Sequence, residues 1–162
     1  MSRANQKGFS LIELLIVVAI ILIIAAIAIP NLIRSRMAAN EASAVSGLRA
    51  ITTAENAYNA AYPTVGYTCT LANLGPPASG QPASSTGADI LDGVISAGTK
   101  AGYTFTLSNC VGTPAANYSS TAVPITVGGT GQRAFCSTSS GIIQYAQDGI
   151  AADCIAGNSV LQ

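Results

Sequence analysis

The sequence predicts an α+β protein, in which a long N-terminal α-helix packs on a small antiparallel β-sheet. Residues 9–29 are almost continuously apolar, and residues 31–62 carry an amphipathic helical pattern. The remaining residues, 63–162, are rich in Gly, Ser and Thr and contain short alternating runs that are typical of strands. Only 9% of the chain is charged, against roughly a quarter in ordinary soluble domains. We therefore expect a membrane segment attached to a small polar domain.

The N-terminus has the organisation of a basic leader followed by a membrane span. Residues 1–8, MSRANQKG, are polar, and Arg3 and Lys7 should remain on the cytoplasmic side by the positive-inside rule. The apolar run 9–29 is about long enough to cross a hydrocarbon core of roughly 30 Å. These features predict that the domain after the span lies outside the cytoplasm.

A secretory signal peptide is the competing interpretation of the same segment. Ala26-Ile27-Ala28 could serve as its cleavage site. However, the apolar run is longer than the about 7–15 residues usual for such a signal, and it contains the carboxylate of Glu13. Both features favour an anchor.

The second helical segment runs from Asn31 to about Tyr62, just before Pro63. Apolar side chains recur there at steps of three, four or seven, and should form one buried stripe: Val45, Leu48, Ile51, Tyr58 and Tyr62. Charged side chains are expected on the exposed faces: Arg34, Arg36, Glu41, Arg49 and Glu55. Pro30 lies between the two segments and lacks an N–H, so a kink or a weak point is expected there.

The C-terminal part should supply the sheet that covers this stripe. Residues 63–100 are expected to be loops, apart from a short helix over 89–97 with Asp89 near its N-terminus. Four strands are predicted: Tyr103–Leu107, Ala122–Val127, Arg133–Ser137 and Ile142–Ala146. A sheet of three or four strands would bury both apolar faces. Pro124 should confine its strand to an edge.

The four cysteines are widely spaced and favour two disulfides in a domain outside the cytoplasm. Three connectivities are possible. We favour Cys69–Cys110 and Cys136–Cys154, because sequential pairs cross-link neighbouring segments without threading. Four buried free thiols are the alternative, and they would require a cytoplasmic domain.

The composition offers little material for catalysis or cofactor binding. The absence of His excludes Ser-His-Asp and Cys-His catalysis as well as the common zinc sites that use His. Asp148-Gly149 and Asp153 could suggest a calcium loop, but two Asp residues near a glycine are more often turn formers. The net charge of zero gives no electrostatic footprint for nucleic acid. We expect no enzyme activity, no cofactor, no metal site and no direct small-molecule substrate.

Residues Lys7-Gly8-Phe9-Ser10-Leu11-Ile12-Glu13-Leu14-Leu15, followed by the apolar run and Pro30, closely resemble the class III signal of type IV pilins and type II secretion pseudopilins. The resemblance covers about the first 36 residues. It implies the pilin fold and four segments: a removed leader (1–8), a transmembrane and assembly helix (9–30), an amphipathic helix (31–62) and a globular domain with two disulfides (63–162).

The same resemblance implies roles for individual residues. A prepilin peptidase would cut between Gly8 and Phe9, and Phe9 would become the N-methylated terminus. Glu13 would pair with the terminal amine of a neighbouring subunit, because a carboxylate in a membrane helix needs a partner. The alternative for Glu13 is that it lies near the membrane surface and reaches into water. Pro30 could mark a place where the helix melts locally during packing.

These features together predict a structural subunit of a type IV pilus, acting in motility, adhesion or DNA uptake. Its expected partners are identical subunits, the prepilin peptidase, an inner-membrane platform protein and an assembly ATPase. The chain would be a single-pass inner-membrane protein before assembly and part of an extracellular filament afterwards. A type II secretion pseudopilin is the close alternative, and a membrane-anchored periplasmic binding module is the alternative from another class.

Overall fold

A computed structural model describes residues 9–155, 160 and 161 of the chain, so the predicted leader 1–8 lies outside the described residues. Helices and strands follow in the order α1 (Leu11–Ala61), α2 (Leu71–Leu74), α3 (Gly93–Ser96), β1 (Thr99–Lys100), β2 (Tyr103–Gly112), β3 (Ala115–Pro124), β4 (Ala134–Thr138), β5 (Ile143–Ala146) and α4 (Ala151–Ile155). The chain divides into two compact units, one ending at Ser35 and the other beginning at Arg36. Both units contain part of α1.

The first unit consists of the apolar half of α1. An 18-residue stretch of α1 near the N-terminus has a mean hydropathy of 3.3, and the helix is long and apolar enough to cross a membrane. The large apolar side chains from Phe9 to Ile33 are exposed, because nothing in the described chain covers them. Pro30 lies inside the helix and does not end it.

The second unit is an α+β arrangement, in which the amphipathic half of α1 packs on the sheet. Leu48, Ile51 and Tyr58 on the helix are fully buried and belong to one core with Phe105 and Phe135 of the sheet. Val45 and Tyr62 of the predicted stripe are only partly buried at the margin of this core. The helical period therefore identified the buried face, and the predicted fold class is confirmed.

The sheet has five antiparallel strands in sequence order, one more than the largest number predicted. The additional strand is β1, which is too short to show an alternating pattern in the sequence. β2 pairs with β3 in the register Phe105↔Ala122, and β3 pairs with β4 in the register Thr121↔Cys136. Each strand after β1 follows its neighbour through a short connection, so the topology is local.

The prediction that Pro124 confines its strand to an edge was wrong. β3 lies between β2 and β4, and it runs from Ala115 to Pro124 instead of from Ala122 to Val127. Pro124 is the last residue of β3 and faces Tyr103 of β2, whereas the pairing with β4 stops at Ala122. The proline can occupy a central strand because it stands at the strand end, beyond the reach of β4.

The connection between α1 and the sheet contains two short helices. α2 was not predicted, and the helix predicted over 89–97 is limited to Gly93–Ser96. Asp92, and not Asp89, caps α3: its carboxylate accepts a hydrogen bond from the Val94 N–H at 3.1 Å. Asp89 has a φ of 56°, a left-handed conformation that is incompatible with a helix interior.

Two disulfides cross-link this unit. Cys69, in the loop before α2, is joined to Cys110 of β2, with their Cα atoms 5.8 Å apart. Cys136 of β4 is joined to Cys154 of α4, with their Cα atoms 5.9 Å apart. These are the pairs that the sequence favoured. The second disulfide closes a loop with a sequence separation of 18, which corresponds to a stabilisation of about 3 kcal/mol in the chain-entropy account.

Candidate assembly site

Glu13 is the acidic side chain in the first turn of α1. The Glu13 carboxylate accepts a hydrogen bond from the backbone N–H of Ser10 at 2.9 Å. The Ser10 carbonyl in turn accepts from the N–H groups of Glu13 and Leu14, at 3.1 and 3.3 Å. This is the carboxylate half of a capping box, in which an acid three residues inside the helix satisfies a free backbone donor at its start.

Sequence reasoning assigned Glu13 to assembly and missed this local role. The signal was present, because Ser10-Leu11-Ile12-Glu13 has the Ser-x-x-Glu spacing of a capping box directly before an apolar run. The hydrogen bond to Ser10 leaves other acceptor positions of the Glu13 carboxylate available. A carboxylate offers about four acceptor positions, so Glu13 can hold the Ser10 N–H and still accept from a second donor.

The surroundings of Glu13 make its charge costly in a membrane or in a packed filament. Phe9 is 85% exposed, and Leu11 and Leu14 beside the acid are also exposed. The chain itself therefore provides an apolar surface that has no cover, interrupted by one carboxylate. Exposed apolar surfaces of this extent mark contacts with a membrane or with another protein.

The structure gives less information about Gly8 and Pro30, to which the sequence assigned roles in processing and assembly. Gly8 lies outside the described residues, so the geometry of the expected cleavage bond is not shown. Pro30 is flanked by the exposed side chains of Ile29 and Leu32 on the same apolar unit. The missing N–H of Pro30 removes one backbone hydrogen bond from the helix. The kink or weak point expected at Pro30 stays a prediction.

The sequence predicted that Glu41 lies on an exposed face of the helix. In the structure of the second unit it does not. It is 8% exposed and forms an ion pair with Arg133 at 2.7 Å. It also accepts hydrogen bonds from the backbone N–H groups of Gln132 and Arg133, at 3.0 and 3.2 Å. Burial alone would raise the pKa of Glu41, but these hydrogen bonds and the guanidinium outweigh it and lower the pKa. Glu41 therefore links α1 to the residues directly before β4.

Glu55 is the second exception to the predicted exposed face, because its side chain is fully buried. One carboxylate oxygen accepts a hydrogen bond from the backbone N–H of Thr68 at 3.0 Å, next to the disulfide at Cys69. Burial raises the pKa of Glu55 to about 7, and the hydrogen bond from Thr68 only partly opposes the shift. No sequence signal distinguished this glutamate from an exposed one, because its partner lies outside the helix.

A side-chain cluster that could bind a metal ion is absent from the described part of the second unit. No group of three or more His, Cys, Asp or Glu side chains lies close enough to hold a metal ion among the described residues. The Asp148 carboxylate accepts a hydrogen bond from the Ile150 N–H at 3.0 Å, as in a turn, and the Asp153 side chain is outside the description. The ring centroids of Tyr58 and Tyr62 lie 4.9 Å apart, and both rings belong to the packing of α1 on the sheet.

Comparison with known proteins gives matches to proteins with this type of N-terminus. Residues 3–29 match the prokaryotic N-terminal methylation motif. The chain is 49% identical over 59 residues to the type IV major pilin protein PilA of Myxococcus xanthus, covering 35% of this chain and 27% of that protein. It is 65% identical over 37 residues to the type IV wide pilus major component PilA4 of Thermus thermophilus, covering 23% and 28%.

A third relative belongs to a different system. The type II secretion system core protein G of Klebsiella michiganensis is 36% identical over 67 residues, covering 40% of this chain and 47% of that protein. The chain thus matches between about a quarter and a half of the length of these curated relatives. No solved structure matches. The resemblance seen in the sequence is confirmed: the chain carries a prepilin methylation motif and is similar to type IV pilins and a pseudopilin.

Proposed function

We propose that this chain is a structural subunit of a type IV pilus and polymerises through the apolar half of α1. The observation that carries the proposal is a single acid, Glu13, at the start of an otherwise apolar and uncovered helix surface. The methylation motif over residues 3–29 and the similarity to two major pilins support it. The proposed role is mechanical and requires no enzyme activity.

Maturation would create the partner that Glu13 needs. In this proposal a prepilin peptidase cuts between Gly8 and Phe9, and the new terminus at Phe9 is N-methylated. The resulting amine is positively charged at neutral pH. It becomes available at the same end of α1 as the Glu13 carboxylate.

The pairing of Glu13 with the Phe9 amine of a neighbouring subunit follows from the cost of an isolated charge. A carboxylate within a membrane helix costs up to about a few kcal/mol, and the Ser10 N–H satisfies only one of its acceptor positions. An ammonium group from another copy would neutralise the charge and fix the axial offset between subunits. The exposed apolar side chains around Glu13 would then be buried between helices.

The cellular course of assembly follows from the same proposal. The subunit would be held in the inner membrane by residues 9–30 and then be lifted into the filament by a platform protein and an assembly ATPase. Residues 63–162 would be displayed outside, where an oxidising environment suits the disulfides Cys69–Cys110 and Cys136–Cys154. Motility, adhesion and DNA uptake are the activities that such a filament could serve.

A subunit of a type II secretion pseudopilus is the second candidate. The observation that favours it is the alignment with core protein G, which covers 47% of that protein, whereas the two pilin alignments cover 27% and 28% of theirs. Deletion of the gene separates the two candidates. Loss of surface fibres would support the pilin, whereas loss of protein secretion with fibres intact would support the pseudopilin.

The substitution Glu13→Ala tests the proposed assembly mechanism. We expect the variant to enter the membrane and to be cleaved, but the yield of sheared filaments should fall by about tenfold or more, because the terminal amine is left unpaired. Leu15→Ala is the matched control, since it shortens a nearby apolar side chain without removing a charge. Filament yield and cleavage would be measured by quantitative immunoblotting of sheared and membrane fractions. A normal filament yield from Glu13→Ala would contradict the pairing.

A further inference from the structure

Three large apolar side chains are exposed in two loops of the second unit. Ile125 and Val127 follow β3 and are 59% and 49% exposed, and Ile150 precedes α4 and is 53% exposed. We call these three residues the loop patch. A group of exposed apolar side chains with polar residues around it marks a contact with a membrane or with another protein. The position of the loop patch in the unit decides between these two partners.

The two loops that carry the loop patch pack on each other. A Cβ atom added to Gly149, the residue before Ile150, would lie 2.8 Å from Cγ2 of Val127, so this glycine allows a close approach of the loops. A hydrogen bond of 3.4 Å from Gln132 Nε2 to the Gln147 carbonyl joins the same two loops. The apolar side chains of the loop patch are therefore carried by adjoining loops.

These loops lie at the end of the second unit where the chain enters it. Asn40 Nδ2 donates a hydrogen bond to the Thr130 carbonyl at 2.8 Å, and Glu41 accepts one from the Gln132 N–H at 3.0 Å. Arg36 is the first residue of the unit, and Asn40 follows it by four residues, about 6 Å along the helix. The loop patch is thus connected to the first turns of α1 in this unit.

The sequence places the end of the apolar run directly before this point. Ile33 is its last large apolar residue and precedes Arg36 by three residues. Arg34 and Arg36 are exposed, and arginines at the end of a membrane helix commonly extend their charge to the lipid head groups. When the apolar half of α1 lies in a membrane, the surface of that membrane is therefore within a few residues of the unit that carries the loop patch.

We propose that the loop patch contacts the lipid surface at which α1 leaves the membrane, before the subunit is assembled. This inference rests on the membrane anchoring in the proposed function and adds a second contact between the subunit and lipid. Asp148 is the one charged side chain in residues 125–131 and 147–150, and its carboxylate accepts from the Ile150 N–H at 3.0 Å. Apolar side chains beside polar groups suit the boundary between acyl chains and head groups.

Fluorescence quenching on the full chain in lipid vesicles tests this contact. The variant Val127→Cys would carry a bimane label, and the vesicles would consist of phosphatidylcholine and phosphatidylglycerol with added lipids that have a nitroxide on the head group. The four native cysteines form disulfides, so the introduced thiol is the one that reacts. We expect strong quenching by the nitroxide lipids and severalfold weaker quenching by iodide in the water than for a label far from the loop patch.

Val65→Cys supplies that distant label. Val65 is also a surface valine, 40% exposed, and its N–H donates to the Tyr62 carbonyl at 2.9 Å just beyond the end of α1. Ala61, the last residue of α1, is about 32 Å along the helix from Asn40. We expect a label at position 65 to be quenched by iodide and not by the nitroxide lipids. Equal quenching of the two labels by the nitroxide lipids would overturn the proposal.

A second substitution tests whether the apolar side chains cause the contact. Ile125→Asp, introduced into the chain labelled at position 127, should reduce quenching by the nitroxide lipids severalfold. Ile142→Asp is the matched control and should preserve it, because Ile142 is 54% exposed but follows Gly141, which lies beside Thr52, three turns of α1 beyond Asn40. Unchanged quenching in the Ile125→Asp chain would contradict a contact made by the loop patch.

A label in the apolar run separates failure of this inference from failure of the proposed function. Ile21→Cys should be quenched by lipids that carry the nitroxide on the acyl chain. Quenching at position 21 without quenching at position 127 would overturn the lipid contact and leave the pilus proposal standing, whereas no quenching at position 21 would overturn both. Protection of position 127 from iodide that increases with the protein-to-lipid ratio, without quenching by nitroxide lipids, would assign the loop patch to a second copy of the chain and overturn the proposal.

Discussion

Glu55 makes the stability of the second unit depend on pH. Its pKa is about 7 in the folded chain, compared with an ordinary value of 4.5. The folded state therefore binds this proton more tightly than the unfolded state. Its contribution to stability is fully present below about pH 4.5, and it is lost as the pH rises through about 7. A shift of this size corresponds to about 3 kcal/mol between these limits.

We predict that the free energy of unfolding falls between pH 5 and pH 8 and that Glu55→Gln removes most of this fall. The neutral amide can keep the hydrogen bond from Thr68 and has no proton to lose in this range, so the variant should exceed the unmodified chain in stability at pH 8. Urea unfolding of the full chain in micelles, followed by tyrosine circular dichroism, measures both effects.

Glu41→Gln provides the control for that experiment. The pKa of Glu41 is lowered by its hydrogen bonds, so it stays charged between pH 5 and pH 8. Its replacement should weaken the link to Arg133 but leave the pH dependence unchanged. An equally steep fall in stability for Glu55→Gln would show that another group is responsible.

At the scale of the elements, the contact between α1 and β2 depends on Gly47. A Cβ atom at this position would lie 2.7 Å from two ring atoms of Phe105, which is buried in the core. The glycine weakens the helix by about 1 kcal/mol relative to alanine, but it allows the ring to approach the helix backbone. The close approach explains why a weak helix former stands on the buried face.

We predict that Gly47→Ala lowers the stability of the second unit in spite of its better helix propensity. Overpacking against Phe105 costs about 1–3 kcal/mol, which equals or exceeds the gain in propensity. Ser46→Ala on the neighbouring exposed position is the control and should not destabilise the helix. Urea unfolding of both variants gives the comparison. A stabilised Gly47→Ala would mean that the ring has room to move.

The two disulfides should differ in their accessibility to thiols. Cys69 is exposed and Cys110 is half-buried, whereas Cys136 and Cys154 are 2% and 0% exposed. Thiol–disulfide exchange requires an attacking thiolate to reach a sulfur atom. We predict that dithiothreitol cleaves Cys69–Cys110 first in the folded chain, as measured by alkylation and peptide mapping. Equal rates for both disulfides would contradict the packing around Cys136.

Elements that depend on local pattern were predictable from the sequence. The apolar run, the helical stripe with Leu48 and Ile51, and strands β2, β4 and β5 follow from periodicities of 3.6 and two residues. The extent of β3 and the position of Pro124 inside the sheet depend on which strands pair with β3. The residues of one strand alone do not determine this pairing. The roles of Glu41 and Glu55 were missed for the same reason. The partners of Glu41 lie 91 and 92 positions away in the sequence.

For the whole molecule, the two units divide the proposed work. The first unit presents an uncovered apolar surface with one acid, and the second provides a small cross-linked domain with its own core. The proposal gives the acid a positively charged partner. In the described part of the first unit the only basic side chain is Arg34, about six turns along the helix from Glu13. The amine that cleavage after Gly8 would create at Phe9 supplies the charge, and in the proposal it comes from a neighbouring copy of the chain.

The identity of the mature N-terminus tests this central claim most directly. Sheared surface filaments would be digested, and the N-terminal peptide of this chain would be identified by mass spectrometry. The proposal predicts a terminus at N-methylated Phe9, immediately after Gly8. A filament subunit that retains residues 1–8, or one that begins beyond Glu13, would contradict the proposal, because Glu13 could not then pair with the amine of Phe9.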